Sequence, residues 1–241
     1  MTQKIYEGKA KILYSTDNPE ILLTVYKDDA TAFNARKKGQ IKDKGRLNCQ
    51  ITAALYEWLT SVGIPTHYID CPEPDRMRVK AVTIVPVEVV VRNIAAGSLC
   101  RQTGLAEGTV LTDPLVEYYY KNDELGDPLL TRDRIFLLDL VSHQKLNQIE
   151  NMARKINEHL QSFFDKCDIT LVDFKLEFGI DAQNNLLLAD EISPDTCRLW
   201  DKNEADARAR VMDKDRFRKD LGQVESAYQQ VQQRVLAQLK K

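Results

Sequence analysis

Short runs of alternating hydrophobic and polar residues dominate the first third of the chain. "AKILYST" and "ILLTVYK" read as strands, and the "DNPE" between them is a turn signal, so together they predict a hairpin. "DDATAFNARKKGQIKDKG" is polar, holds two glycines and reads as a loop. The period then changes. Leu47, Ile51, Ala54, Leu55, Trp58 and Leu59 recur at helical spacing, with Gly63 and Pro65 as stop signals. "THYID" and "RMRVKAVTIVPVEVVVRN" return to strand. The stretches "AAGSLCRQTGLAEGTVL" and "YYYKNDELGDPLLTRD" are rich in turn residues and read as loops, which carry ligand contacts on many scaffolds. A second helix is predicted from Ser142 to Asp165, striped by Leu146, Ile149, Met152, Ile156, Leu160 and Phe163. A last one starts near Asp215, striped by Leu221, Val224, Tyr228, Val231, Val235 and Leu239. Strands first, then strands mixed with helices, point to an α+β fold and not to repeating βαβ units. A strand-rich N-terminal lobe, residues 1–80, and a larger α+β lobe, residues 81–241, would leave a cleft between them.

One strand is unusual. In "LVDFKLEFG", Val172, Phe174, Leu176 and Phe178 face one way, and Asp173, Lys175 and Glu177 the other. The second arm, "NNLLLADE", ends in Asp190-Glu191 after the turn cluster "DAQNN". A two-residue loop at Gln183-Asn184 would set Glu177 across from Asp190, and other even loops would make them diagonal neighbours. A three-residue loop or a bulge would break the relation. Adjacent carboxylates repel and lose hydration, so burying them calls for a cation. Mg²⁺ takes one or two protein carboxylates together with phosphate oxygens. Glu177 and Asp190 are therefore candidate metal ligands, with Lys175 beside them, against the alternative of a solvated face of alternating charge.

Two further segments carry chemistry. In "IVPVEVVVRNIAAGSL", Val85, Val87, Val89 and Val91 form an apolar face and Glu88, Val90 and Arg92 the other. Arg92 followed by Gly97-Ser98 suits an anion cradle, because a guanidinium meets phosphate with two hydrogen bonds. At the start, "YEGKAKILY" places Gly8, Lys9 and Lys11 at a hairpin mouth, where basic residues can cover nucleotide phosphates. Neither G-x-G-x-x-G nor the P-loop pattern is present.

Composition excludes several classes. Across 241 residues, 34 lysines and arginines nearly balance 36 aspartates and glutamates, so bulk charge gives no reason to expect nucleic-acid or membrane binding. Five scattered cysteines without a C-x-x-C pair read as reduced thiols of a cytoplasmic protein, and three isolated histidines argue against zinc. The first residues lack the apolar core of a signal peptide, and no apolar run is long enough to span a bilayer.

Taken together, "YEGKAK", "VPVEVVVRNIAAGSL", "KNDELGDP", "LVDFKLEFG", "DEISPDTCRLWD" and "MDKDRFR" resemble one family, phosphoribosylaminoimidazole-succinocarboxamide synthase (SAICAR synthetase). They occur in the family's order from residue 6 to residue 218. The resemblance implies a SAICAR synthase-like fold whose N-terminal antiparallel lobe is similar to the small lobe of kinases, with ATP in the cleft. It implies an ATP-dependent ligase of purine biosynthesis. The carboxylate of carboxyaminoimidazole ribonucleotide (CAIR) is phosphorylated by ATP and then attacked by the amine of L-aspartate. ATP and Mg²⁺ are the implied cofactors, small molecules the implied partners, and a homodimer the implied assembly. Carried over by position, Gly8, Lys9, Lys11, Lys121 and Glu177 serve ATP, and Ile84 and Val85 meet adenine through their backbone. Glu177 and Asp190 hold Mg²⁺. Arg92, Ser98 and Arg198 hold the ribonucleotide phosphate, and Asp173 and Lys175 line the reacting end, with Asp195 nearby as a substrate-binding residue. Asn34 stands where some members have an acidic residue, which puts a second metal contact in doubt. Cys197 is read as a bystander. A kinase-type phosphotransferase would instead carry H-R-D-x-x-x-x-N, which "TRDRIFLLD" does not match.

Overall fold

The computed structural model describes residues 3–32 and 37–240 of the chain; Asn34 lies outside the described residues. Strands β1 (Lys4–Glu7), β2 (Lys11–Ser15), β3 (Ile21–Tyr26), β4 (Asp29–Ala32) and β5 (Lys37–Gln40) lead into helix α1 (Lys44–Ser61). β6 (Tyr68–Glu73), β7 (Arg76–Lys80), β8 (Thr83–Ile84) and β9 (Val87–Ile94) follow. Then come α2 (Ser98–Thr103), β10 (Val110–Tyr120), β11 (Leu129–Leu130), α3 (Arg132–Leu137) and α4 (His143–Asp165). The chain closes with β12 (Ile169–Ile180), β13 (Leu186–Ala189), β14 (Cys197–Asp201), α5 (Asp215–Arg218) and α6 (Val224–Leu239). The architecture is α+β, with antiparallel pairing throughout both main sheets.

The smaller sheet runs β1-β2-β3-β7-β6, and all its strands come from residues up to Lys80. The larger sheet is built around β12. Its first half is flanked by β9 and β14, and its second half by β8 and β13. α1 packs between the two sheets because it is apolar on more than one side. Cys49 and Ala53 join Tyr26, Met77 and Val79 under the small sheet, while Ile51, Leu55 and Leu59 enter the main core with β9, β12 and α4. Full burial of each of these aliphatic side chains contributes about 1.5–3 kcal/mol. α4 starts where its cap predicts. The Ser142 hydroxyl accepts the Lys145 amide at 3.2 Å, and the apolar stripe from Leu146 to Phe163 is buried, Met152 only in part.

Several sequence expectations are corrected. "DDATAFNARKKGQIKDKG" is not a loop throughout, since β4 and β5 pair within it. The turn-rich middle contains β10, a long strand whose pairing with β9 is interrupted between Val110 and Leu115, around Pro114. Proline cannot donate to the ladder, and this hid the strand. The last helix does not start at Asp215 as one piece. α5 is a single turn, and Asp220, Gly222 and Gln223 take left-handed φ values of 54°, 70° and 52° before α6 begins.

The alternation in "LVDFKLEFG" also breaks at one point. Pairing of β12 with β14 slips between Leu171 and Asp173, a bulge that sends Val172 away from Phe174. Val172 packs with Ala96, Trp200 and Val211, whereas Leu171, Phe174, Leu176 and Phe178 lie in the main core.

Candidate active site

The hairpin of β12 and β13 closes with an odd loop, the five residues 181–185, and not with the two-residue loop at Gln183-Asn184. Glu177 pairs with Ala189, not with Asp190, and Ile180 with Leu186. Strict alternation would then turn Asp190 to the other face. It does not, because Asp190 lies just beyond β13 with φ at 64°, a left-handed residue that swings its side chain back. Lys175 Nζ lies 2.5 Å from Glu177 Oε1 and 3.3 Å from Asp190 Oδ2. The two carboxylates thus meet at one ammonium, by a different backbone route from the one the spacing suggested.

Around this pair, β9 supplies Glu88, 3.1 Å from Lys175 Nζ, and Lys121, just after β10, reaches Glu177 Oε2 at 2.9 Å. Lys11 of β2 is ion-paired to Asp190 and lies 2.9 Å from Glu191. Four carboxylates therefore face three ammonium groups, leaving one negative charge in excess. Burial alone would lower the Lys175 pKa, but Glu177, Asp190 and Glu88 hold it well above the ordinary lysine value. Burial would raise Asp190, and Lys11 and Lys175 outweigh it and keep the carboxyl ionised far below its usual range. Glu88 is raised, chiefly by burial, with Lys175 opposing.

Two residues along the same strand lies a second cluster. Asp173 Oδ2 accepts from Arg92 Nη1 at 2.9 Å and from Arg198 Nη1 at 2.7 Å. Arg92 also donates to Glu117 Oε2 at 2.7 Å, Ser98 Oγ at 2.9 Å and the Tyr119 hydroxyl at 3.2 Å. Arg198 donates to Asp215 at 3.1 Å, and Arg218 to the same carboxylate at 2.7 Å. Burial would raise Asp215, yet Arg198 and Arg218 draw it down to about 2. Gly97 explains how Arg198 gets so close. Its φ is 58°, and a Cβ there would collide with the Arg198 guanidinium.

A third group adjoins both. Asp195 Oδ2 lies 2.8 Å from Lys44 Nζ, and Asp195 Oδ1 accepts from the Tyr228 hydroxyl at 2.7 Å. The Asp195 amide donates to Ser193 Oγ at 3.1 Å, and that hydroxyl donates to Glu191 at 2.5 Å. Asp195 is thereby tied to the Lys11 end of the first cluster.

The other predicted positions lie at the rim. The amide of Gly8 bonds Lys11 O in the β1–β2 turn, and Lys9 reaches Asp123 Oδ1 at 2.7 Å, holding that turn against the "KND" segment. Ile84 pairs with Gly179, while the Val85 amide is engaged by Phe178 O and its carbonyl accepts from Val87. Adenine contact through Val85 would therefore need a second lone pair on a carbonyl already in use. Cys197 is buried, which pushes its thiol well up and leaves it protonated. Sequence reasoning gave no site role to Glu88, Glu117, Tyr119, Lys44, Lys214, Asp215 and Tyr228. Only the period-2 face shared by Glu88 and Arg92, and the "MDKDRFR" stretch, carried a signal for any of them.

A family model described as SAICAR synthetase matches residues 4–235. The chain belongs to the SAICAR synthetase family. It is an ATP-dependent ligase of purine biosynthesis. It is 65% identical over 239 residues to phosphoribosylaminoimidazole-succinocarboxamide synthase of a Synechocystis species, covering 99% of this chain and 90% of that one. Among solved structures it is similar to the same synthase from Ehrlichia chaffeensis, at 44% identity and a TM-score of 0.93, with 98% and 99% of the two chains covered. It is also similar to a type-2 SAICAR synthetase in complex with ADP, at 45% identity and a TM-score of 0.91, with 95% and 96% covered. Among the described residues no helix is long and apolar enough to cross a membrane.

Proposed function

We propose that the chain joins L-aspartate to the carboxylate of CAIR through an acyl phosphate, giving SAICAR, ADP and phosphate. The observation that carries this reading is the single charged face of β12. Glu177 and Lys175 meet Asp190 at one end, and Asp173 joins Arg92 and Arg198 at the other. A triphosphate-binding end and a phosphate-monoester end on one strand suit a reaction that brings several anions together.

A carboxylate is a poor acyl donor because its leaving group would be oxide. In the proposed sequence, a CAIR carboxylate oxygen takes the γ-phosphoryl group and ADP departs. The aspartate amine then attacks the acyl carbon, phosphate leaves with that oxygen, and the amine gives up a proton. Lys11, Lys121 and Lys175 would hold phosphoryl oxygens, with Gly8 and Lys9 shaping the cover. Ile84 and Val85 would border adenine. Arg92, Ser98 and Arg198 would hold the ribonucleotide phosphate, with Asp173 orienting both guanidiniums and Asp195 close by. Catalysis rests on positioning and charge stabilisation.

Mg²⁺ fits the donor set. Glu177 and Asp190 are hard oxygen donors that already converge on a cation in Lys175, in a cluster with surplus negative charge. Such an ion would take the two carboxylates and complete its shell with phosphate oxygens and water. Bound there, it would neutralise phosphate charge.

We extend the proposal to an ATP-covering lobe of residues 1–80, a second lobe of residues 81–241, a homodimeric assembly and a cytoplasmic location. The test is ADP formation from ATP and Mg²⁺ with CAIR and L-aspartate present together or omitted singly. Turnover that continues undiminished without aspartate would refute the ligation.

A further inference from the structure

Lys214 is a partly buried cation short of counter-charge. Its side chain is 15% exposed, and Nζ lies 3.5 Å from Asp195 Oδ2, its one recorded polar contact among the described residues. Asp195 is already committed. The same Oδ2 takes Lys44 at 2.8 Å, with Lys44 only 1% exposed, and the other oxygen takes Tyr228. Two ammonium groups thus share one carboxylate, and Lys214 is the one that solvent still reaches. Burial lowers its pKa, Asp195 offsets this in part, and Lys44 and Arg218 push it down further. A group so placed is relieved by an incoming anion.

The position is favourable for a reactant. The Lys214 amide donates to Pro194 O, which fixes the lysine to the segment that follows Asp190 and Glu191. The next residue, Asp215, is bound to Arg198 and Arg218. Lys214 therefore stands between the Lys11–Glu191 end of the site and the Arg92–Asp173–Arg198 end. Neither of the two proposed phosphate-holding roles uses it.

We infer that Lys214, backed by Lys44, forms a separate anion seat that takes a free carboxylate of the incoming amino acid. The inference rests on the proposed ligation, in which that substrate carries two carboxylates beside its amine. Asp195 is then a positioning residue that holds both lysines, not a ligand of the substrate.

The test is steady-state kinetics of the full chain with Lys214→Met and Lys214→Arg. Removal of the charge raises KM for aspartate by about tenfold or more, as loss of a charge-assisted contact should, with KM for ATP and CAIR changed less than about twofold. Lys214→Arg retains part of the affinity. An unchanged KM for aspartate in Lys214→Met, or equal rises for all three substrates, overturns the seat. Should the variants fail to fold, amine acylation of the wild-type protein read by mass spectrometry decides. Succinate or aspartate, added with ATP and Mg²⁺, slows labelling of Lys214, and labelling that ignores both dicarboxylates overturns the inference. Wild-type protein that makes ADP without needing aspartate refutes the ligation itself, and the seat falls with it.

Discussion

Replacing Lys175 with methionine removes a cation from among three carboxylates. Its ammonium lies 2.5 Å from Glu177, 3.1 Å from Glu88 and 3.3 Å from Asp190. Without it, the four carboxylates of the cluster face two ammonium groups, Lys11 and Lys121. Removing one partner of a buried ion pair costs about 3–5 kcal/mol, because the remaining charge stays desolvated. The Lys175 side chain is 26% exposed, so water screens part of the loss and about 2–4 kcal/mol is expected. The variant should recover in Mg²⁺ alone, because the ion can enter the space the ammonium left. A ligand at about one hundred times its Kd adds about 2.7 kcal/mol. Wild-type protein, with its lysine in place, should gain much less. Urea unfolding followed by fluorescence of Trp58 and Trp200, with and without millimolar Mg²⁺, reads both effects. A loss below about 1 kcal/mol, or an equal Mg²⁺ response in the two proteins, would refute the view that these carboxylates are held by a replaceable cation.

Three other outcomes follow from the same geometry. Asp173→Ala leaves Arg92 to Glu117 and Arg198 to Asp215 alone and should cost about 2–4 kcal/mol in a urea titration, somewhat less than a fully uncompensated buried charge, with inorganic phosphate restoring part of it. Tyr228→Phe leaves a buried Asp195 oxygen without its donor and should cost about 1–3 kcal/mol, read as a lower unfolding midpoint. Burial and the nearby Lys11 hold His67 down to about 4 from the ordinary 6.5, so folding favours the neutral ring. Its contribution is complete above pH 6.5 and is lost as pH falls through about 4, roughly 3 kcal/mol in all. His67→Gln should flatten that fall relative to wild type, and identical pH–stability curves would contradict the assignment.

The elements most legible in the sequence were those whose period matched their burial. The stripes of α1 and α4, the valine run of β9 and the presence of a turn between β12 and β13, though not its odd length, could be read directly. What misled were positions where backbone geometry overrides period. The bulge after Leu171 diverted Val172, the left-handed turn around Gly222 split the last helix, and Pro114 masked β10. The candidate site shows the same pattern. The spacing of Glu177 and Asp190 suggested a shared face through direct pairing, whereas their approach depends on the left-handed Asp190, which no spacing rule reveals. The meeting of Lys44 with Lys214 could not be read for another reason. They are far apart in sequence and meet only because α1 and the residue before α5 converge on Asp195, in the segment after β13.

The central claim is that Glu177 and Asp190 share one divalent ion with the triphosphate of ATP. A crystal structure with Mg²⁺ and a non-hydrolysable ATP analogue tests it most directly. The account predicts one ion bound at about 2.1 Å by an oxygen of each carboxylate and by phosphate oxygens. An ion held by phosphate alone, with both side chains still paired only to Lys175, Lys121 and Lys11, would contradict it.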